Sequence, residues 1–412
     1  MRALSRAADG DCRAVESSLY GLASAYHDPM AKVSIGSVEA LHLHANNRQL
    51  KEVSLYRFLG YDGARTDRGG VTENMKSVAE LENKLAEPSA ELIHDLRSVE
   101  GDILVLGVGG KMGPSLARLA ARAIAEGGLN KRVIGVSRFS NEAARRELED
   151  AGVKTISCDL LQEEELRKLP EVQNVIYMAG QKFGTTGREY FTWAMNAYLP
   201  GRVAEQFKRS RIVVFSSGNV YPFSPVGSGG VNEAVQPEPV GEYAQSCLGR
   251  ERVFEYFSHQ NGTPMAIYRL NYAIDMRYGV LLELARAVNE ERPIDVTMGH
   301  ANVIWQGDAN AMALRCLTQC TSPPSIINVT GPETMSIRWA ATEFARRLGK
   351  EAVFTGTESD NALLSNATKS HQLFGYPHVS LLQMIDWVAE WVQSGGDTWN
   401  KPTHFQERKG KF

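Results

Sequence analysis

The sequence predicts an α/β fold, a doubly wound parallel sheet with a smaller C-terminal α/β lobe. Three observations predict it. Short apolar runs alternate with amphipathic segments from Asp102 onward. A glycine triplet, Gly107, Gly110 and Gly113, directly follows the first of those runs. After about Asn271 the alternation loosens into amphipathic segments with short strands between them.

Each element has its own justification. "DILVLG" is a continuous apolar run, as a strand covered on both faces requires. "PSLARLAARAIAEGG" carries its apolar residues at helical spacing. "RVIGVSR" reads as the second strand and "AARRELEDAG" as the helix after it. "VKTISCDL", "NVIYMAG", "RIVVFSSG" and "MAIYRLN" supply further strands, with helical segments between most of them. Such a series builds a parallel sheet through right-handed crossovers. "YGVLLELARAVNEE", "DANAMALRCLTQC", "MSIRWAATEFARRLG" and "SLLQMIDWVAEWVQSGG" are expected as helices of the second lobe.

Upstream, Ser77 and Glu80 form a capping box before an apolar-periodic stretch. Order is therefore expected to begin near Met75, which could itself be a translation start. The expected organisation is a poorly ordered extension over 1–74 and a helical lead-in over 75–100. A dinucleotide-binding domain over 101–271 follows, then a mainly substrate-binding lobe over 272–412.

The 412-residue chain has a net charge of -3, which gives no electrostatic case for nucleic acid or an anionic membrane. No apolar run approaches the roughly 20 residues that span a bilayer. The first residues, "MRALSRAADGDCRAVESSLY", lack the apolar stretch of a secretory signal. Cys12, Cys158, Cys247, Cys316 and Cys320 form no CxxC pair. Reduced thiols, no metal site and a cytoplasmic location are the expectation.

The glycine triplet stands between a strand and a helix. There the first glycine permits a tight turn, the second lets backbone approach a pyrophosphate, and the third lets helix pack on strand. The helix start then offers free N–H groups to the phosphates. Lys111 and Met112 lie inside this turn. The second strand ends in Ser137 and Arg138, where an aspartate would repel a 2′-phosphate and a guanidinium can pair with one. NADP is therefore expected over NAD. Asp159 and Leu160 are expected to flank the adenine. Met178, Ala179 and Gly180 end the fourth strand, where small residues let a cofactor lie close.

These motifs resemble the extended short-chain dehydrogenase/reductase family, the NAD-dependent epimerase/dehydratase type. The resemblance covers roughly 100–395 and rests on the glycine spacing, "CDL", "YMAG", "VVFSSGNVYP" and the helix that begins near Tyr243. "VIWQGDANAMALRCL" and "INVTGPETMSIRWAATEFARRLG" extend it, with Asp308 at an acidic position. It implies a Rossmann-type cofactor domain and an enzyme acting on a carbonyl or alcohol. By the same resemblance Ser217 holds the reacting oxygen and Tyr243 passes the proton. Asn196 falls near a structural or proton-relay asparagine. Asn196, Asn271, Trp305 and Gln306 are candidate substrate contacts, with Trp305 equally able to serve as a core residue. A homodimer built on the helices 243–257 and 191–208 is also implied, with Val253, Phe254, Phe257, Leu199 and Val203 at its interface.

The chain departs from that pattern at one position. A lysine is implied four residues after Tyr243, and Cys247 stands there. A thiol cannot stabilise a tyrosinate or bridge ribose hydroxyls. Lys182 is the expected replacement cation, completing a catalytic set of Ser217, Tyr243 and Lys182. Arg250 is expected as a salt-bridge residue and Cys247 as a small buried filler. "RLNYAIDMRYG" also departs, with Ile274 and Asp275 in place of Gly-Pro, which weakens the case for a nucleotide-sugar. Two functions remain open. One is an NAD(P)-dependent oxidoreductase or epimerase acting on a sugar-like or small polar substrate. The other is a non-catalytic NAD(P)-binding sensor or scaffold.

Overall fold

A computed structural model of the chain describes residues 75–182, 184 and 186–411. They belong to a unit spanning Thr72–Phe412. The extension expected over 1–74 lies outside the described residues.

Seven strands form one sheet: β1 (Ile103–Leu106), β2 (Val133–Ser137), β3 (Lys154–Ser157), β4 (Asn174–Tyr177), β5 (Arg211–Ser217), β6 (Met265–Leu270) and β7 (Ser325–Val329). Their spatial order is β3-β2-β1-β4-β5-β6-β7, and every neighbouring pair is parallel. The order reverses beside β1, which opens a crevice at the carboxyl ends of β1 and β4. β1 and β4 are buried along their whole length. That burial is why their sequences are unbroken apolar runs.

Each sheet face carries its own core. One packs Leu116, Ala120 and Ala123 of the Gly113–Glu126 helix against Ile103, Val105 and Ile176. The other packs Leu199, Val203 and Phe254 against Leu104, Val175 and Val214. A third cluster, around Val280, Leu284, Phe344, Trp387 and Trp391, builds the smaller lobe.

The lead-in forms two helices, Val78–Leu85 and Ala90–Ser98. The capping box of the first is complete: Ser77 Oγ accepts from Glu80 N–H at 3.2 Å, and Glu80 accepts from Ser77 N–H at 3.1 Å. These helices divide between cores. Leu81 and Leu85 pack in the smaller lobe, whereas Leu92 and Leu96 pack under the sheet.

The boundary expected at 271/272 does not separate the cores. β7 belongs to the main sheet, and the Gln306–Arg315 helix packs on the Gly113–Glu126 helix. The sequence reading put "DANAMALRCLTQC" in the second lobe. Its Ala309, Met312 and Ala313 instead complete the sheet-side core. The small residues there allow the close helix approach.

Candidate active site

The glycine turn is built by contact. Gly107 has φ of 87°, the left-handed region that a side chain strains. A Cβ there would also stand 2.7 Å from the Ala179 backbone nitrogen. A Cβ on Gly113 would collide with the Val108 carbonyl. The Gly113–Glu126 helix has no side-chain cap, so its positive end is left for another partner. Gly110, Lys111, Met112 and Gly113 line a cleft of about 250 Å³. Ser217, Tyr243, Lys182, Asn271, Tyr278 and Thr403 line the same cleft. An uncapped helix start beside glycines that admit no side chain fits the pyrophosphate of a nicotinamide dinucleotide.

Ser217 ends β5 and caps the short turn after it. Its Oγ donates to Asn219 Oδ1 at 2.9 Å and accepts from Asn219 N–H at 3.1 Å. Tyr243 stands in the first turn of the Gly241–Asn261 helix and is half-buried. Its hydroxyl lies close to Ser217 and Cys247. Burial drives its phenol pKa well above the ordinary value, reinforced by the Cys247 sulfur and opposed by the Arg250 guanidinium. Tyr243 is therefore a neutral phenol at physiological pH. Cys247 is fully buried beside Val220, Tyr221 and Val231, and burial raises its thiol pKa.

Two cations approach this pair. Lys182 Nζ lies 5.8 Å from the centre of the Tyr243 ring. Burial pushes its pKa down to about 8, against the pull of Cys247 and Glu283. Arg250 differs from its sequence reading. Among the described residues no carboxylate is within salt-bridge distance of it. Its guanidinium donates instead to the Phe215 carbonyl and to Asn196 Oδ1, both at 2.7 Å. Gly180 makes room for it, since a Cβ at Gly180 would collide with Arg250 Nη2. The arginine thus gives Gly180 a packing reason of its own.

Asn196 is buried and lies on a π-helical turn, Ala194–Tyr198. Its Oδ1 also accepts from Gln181 N–H at 2.8 Å, while its Nδ2 donates to the Gln181 carbonyl at 2.9 Å and to Ser246 Oγ at 3.0 Å. It faces backbone and Arg250, not the cleft. It is a positioning residue for the segment that carries Lys182, which corrects its reading as a substrate contact.

Trp305 and Gln306 are also corrected. Trp305 is 2% exposed and stacks edge-on against Trp387 with centroids 5.2 Å apart. Gln306 is buried and donates to Ser115 Oγ at 3.0 Å. Neither lines the cleft that holds Ser217 and Tyr243. A flat indole gains more from a core than from a half-wet face. Asn271 does reach the cleft, with its Nδ2 3.4 Å from the Leu363 carbonyl.

At the adenosine end, Ser137 abuts the glycine turn, and a Cβ at Gly109 would stand 3.2 Å from its Cβ. Arg138 is exposed. Asp159 accepts from Leu161 N–H at 3.0 Å. Leu160 is buried in the sheet-side core, so little of it is left to face a ring.

Sequence reasoning passed over Tyr278 and Thr403. Asp275 and Tyr278 exchange backbone hydrogen bonds, at 2.9 and 3.0 Å, in a tight turn that brings the Tyr278 ring into the cleft. The altered "AIDMRYG" segment was the available signal for it. Thr403 arrives on the C-terminal segment and donates to Glu283 Oε2 at 2.8 Å. No local pattern marks it.

No family model matches the chain, and no curated protein matches it. Solved structures do. UDP-glucuronic acid 4-epimerase from Bacillus cereus, in complex with NAD and UDP-4-deoxy-4-fluoro-glucuronic acid, superposes with a TM-score of 0.59 at 18% identity, over 71% of this chain and 99% of that one. UDP-glucose 4-epimerase from Thermus thermophilus, in complex with NAD, gives 0.58 at 18% identity over the same shares. UDP-glucose 4-epimerase from Thermotoga maritima gives 0.57 at 17% identity, again over 71% and 99%. The likeness defines the class of fold, a Rossmann-type α/β domain with a parallel seven-stranded sheet and flanking helices.

Proposed function

We propose that the chain is an NAD(P)-dependent oxidoreductase or epimerase acting on a hydroxyl- or carbonyl-bearing carbon of a sugar-like or small polar substrate. One observation carries the reading. Ser217 and Tyr243 share a single cleft with the glycine turn. The fold-level likeness to NAD-bound sugar 4-epimerases supports it.

The glycine turn and the uncapped helix start would hold the cofactor, with Ala179 beneath it. A bound nicotinamide dinucleotide would supply hydride exchange at the substrate carbon. Ser217 orients the substrate oxygen by a hydrogen bond. Tyr243, a neutral phenol, donates its proton to that oxygen and recovers it in the reverse direction. Lys182 and Arg250 offset the negative charge left on the phenol. Ser137 and Arg138 favour NADP, because no carboxylate repels a 2′-phosphate there. Exposed Tyr190 and Tyr198, with Tyr256 on the helix that carries Tyr243, support a homodimer.

Titration of NADP and NAD tests the cofactor reading. Equal affinities, unaltered by Arg138→Ala, remove the NADP preference. A panel of sugars, sugar nucleotides and hydroxy acids then tests catalysis through nicotinamide absorbance and epimer analysis. Cofactor binding without any conversion would favour the non-catalytic sensor or scaffold.

A further inference from the structure

The cleft has an unusual charge balance. Among the described residues that line it, the charged ones are Lys111 and Lys182, and none is acidic. They come from different segments, Lys111 from the glycine turn and Lys182 from the segment after β4. The carboxylates nearby are engaged elsewhere. Asp275 binds Arg277 at 2.7 and 3.1 Å. Glu283 accepts from the Thr403 hydroxyl and backbone N–H, and burial raises its pKa.

Lys111 is held in a defined direction. Its Nζ donates to the Ala273 carbonyl at 3.2 Å and sits 3.8 Å over the Tyr278 ring. Trp399, from the C-terminal segment, adds a second ring at 5.9 Å. The side chain therefore leans from the turn toward the smaller lobe, while the backbone of the same turn faces the helix start. The pyrophosphate of a cofactor is served by backbone N–H groups. The ammonium is left for a different anion. Burial lowers the Lys111 pKa to about 7, opposed by Asp275 and reinforced by the like charge of Lys182, so two ammonium groups share a poorly solvated space. A ligand anion between them would relieve both costs.

We propose that Lys111 and Lys182 form an anion subsite, and that the substrate carries a carboxylate or phosphate group close to the hydroxyl or carbonyl that Ser217 and Tyr243 handle. The proposal rests on the cofactor-cleft reading above and narrows its substrate class. Tyr278 and Trp399 act as positioning residues for Lys111.

The test uses the full chain. Cofactor binding is measured first. On cofactor-saturated protein, inorganic phosphate and malonate are then titrated separately by calorimetry, with glycerol as the neutral control. We expect saturable binding of at least one anion and none of glycerol. Lys111→Met and Lys182→Met should each weaken it by about tenfold or more, while Lys111→Arg and Lys182→Arg stay within about threefold of wild type. Preference between phosphate and malonate distinguishes a phosphate ester from a carboxylate. The subsite is overturned if neither anion binds saturably, or if both methionine variants bind as wild type does. It is also overturned if saturating cofactor abolishes anion binding, since the anion served is then the pyrophosphate. Should no cofactor bind, the anions are titrated on the free protein. Lysine-dependent binding there upholds the subsite while the cofactor reading falls. Thermal melts of each variant identify any loss that comes from unfolding.

Discussion

Arg250 donates to Asn196 Oδ1 at 2.7 Å, and this bond joins the helix that carries Tyr243 to the segment that carries Lys182. The guanidinium is 6% exposed, so its charge is met by neutral oxygens and not by water. Loss of one partner leaves the other buried and unsatisfied. A charge-assisted hydrogen bond contributes about 1.5–3 kcal/mol.

Asn196→Ala should therefore destabilise the protein by about 2 kcal/mol and lower turnover through a displaced Lys182. Asn196→Asp should retain most of the stability, because it keeps an acceptor for Arg250. Chemical denaturation checks both. A neutral Asn196→Ala would contradict the role given to this residue.

The vacant lysine position is not an open socket. Cys247 is fully buried against Val220, Tyr221 and Val231, and Arg250 already places a cation nearby. Cys247→Lys should therefore lower stability, by roughly 2 kcal/mol or more, and fail to raise activity. Cys247→Ala should be mild in both respects. Higher turnover in Cys247→Lys would show that the missing ammonium limits the chemistry.

The sheet was legible from the sequence because each of β1, β2, β4, β5 and β6 is an apolar run with a turn at its end. The glycine turn was legible because tight approach admits only glycine at Gly107 and Gly113. Arg250 was not, since an arginine on a helix usually pairs with a surface carboxylate, and nothing local shows that Gly180 clears a space for it. Trp305 misled because a core indole and a stacking platform look alike in sequence. Thr403 and Trp399 reach the site through the course of the C-terminal segment, which no periodicity encodes.

Lys111 gives stability a defined pH dependence. The Lys111 pKa falls from 10.5 to about 7, mainly through burial, with Asp275 opposing. Between those values the unfolded chain binds the proton that the native state lacks, so this group adds stability as pH rises. Each pH unit across the window is worth up to about 1.4 kcal/mol. Lys111→Met should therefore be more stable than wild type at pH 6, with the gap shrinking by pH 9. Denaturation series at the two pH values check this, and a pH-independent gap would contradict it.

The helices expected at a dimer interface present different residues from those first read there. Leu199, Val203 and Phe254 are fully buried against the sheet. Tyr190, Tyr198 and Tyr256 are exposed instead, beside the partly buried Val253 and Phe257. Light scattering at micromolar concentration should give a dimeric mass, and Tyr198→Glu with Tyr256→Glu should give a monomer. A monomeric wild type would remove the interface.

Proton transfer by Tyr243 is the centre of the account, and one variant tests it most directly. Tyr243→Phe keeps the ring and removes only the hydroxyl, which lies close to Ser217. Its turnover and cofactor affinity are measured side by side on a substrate that the wild type converts. The account predicts a loss of about 10²–10⁴ in turnover, with cofactor affinity held within about threefold. Wild-type turnover in Tyr243→Phe would contradict it.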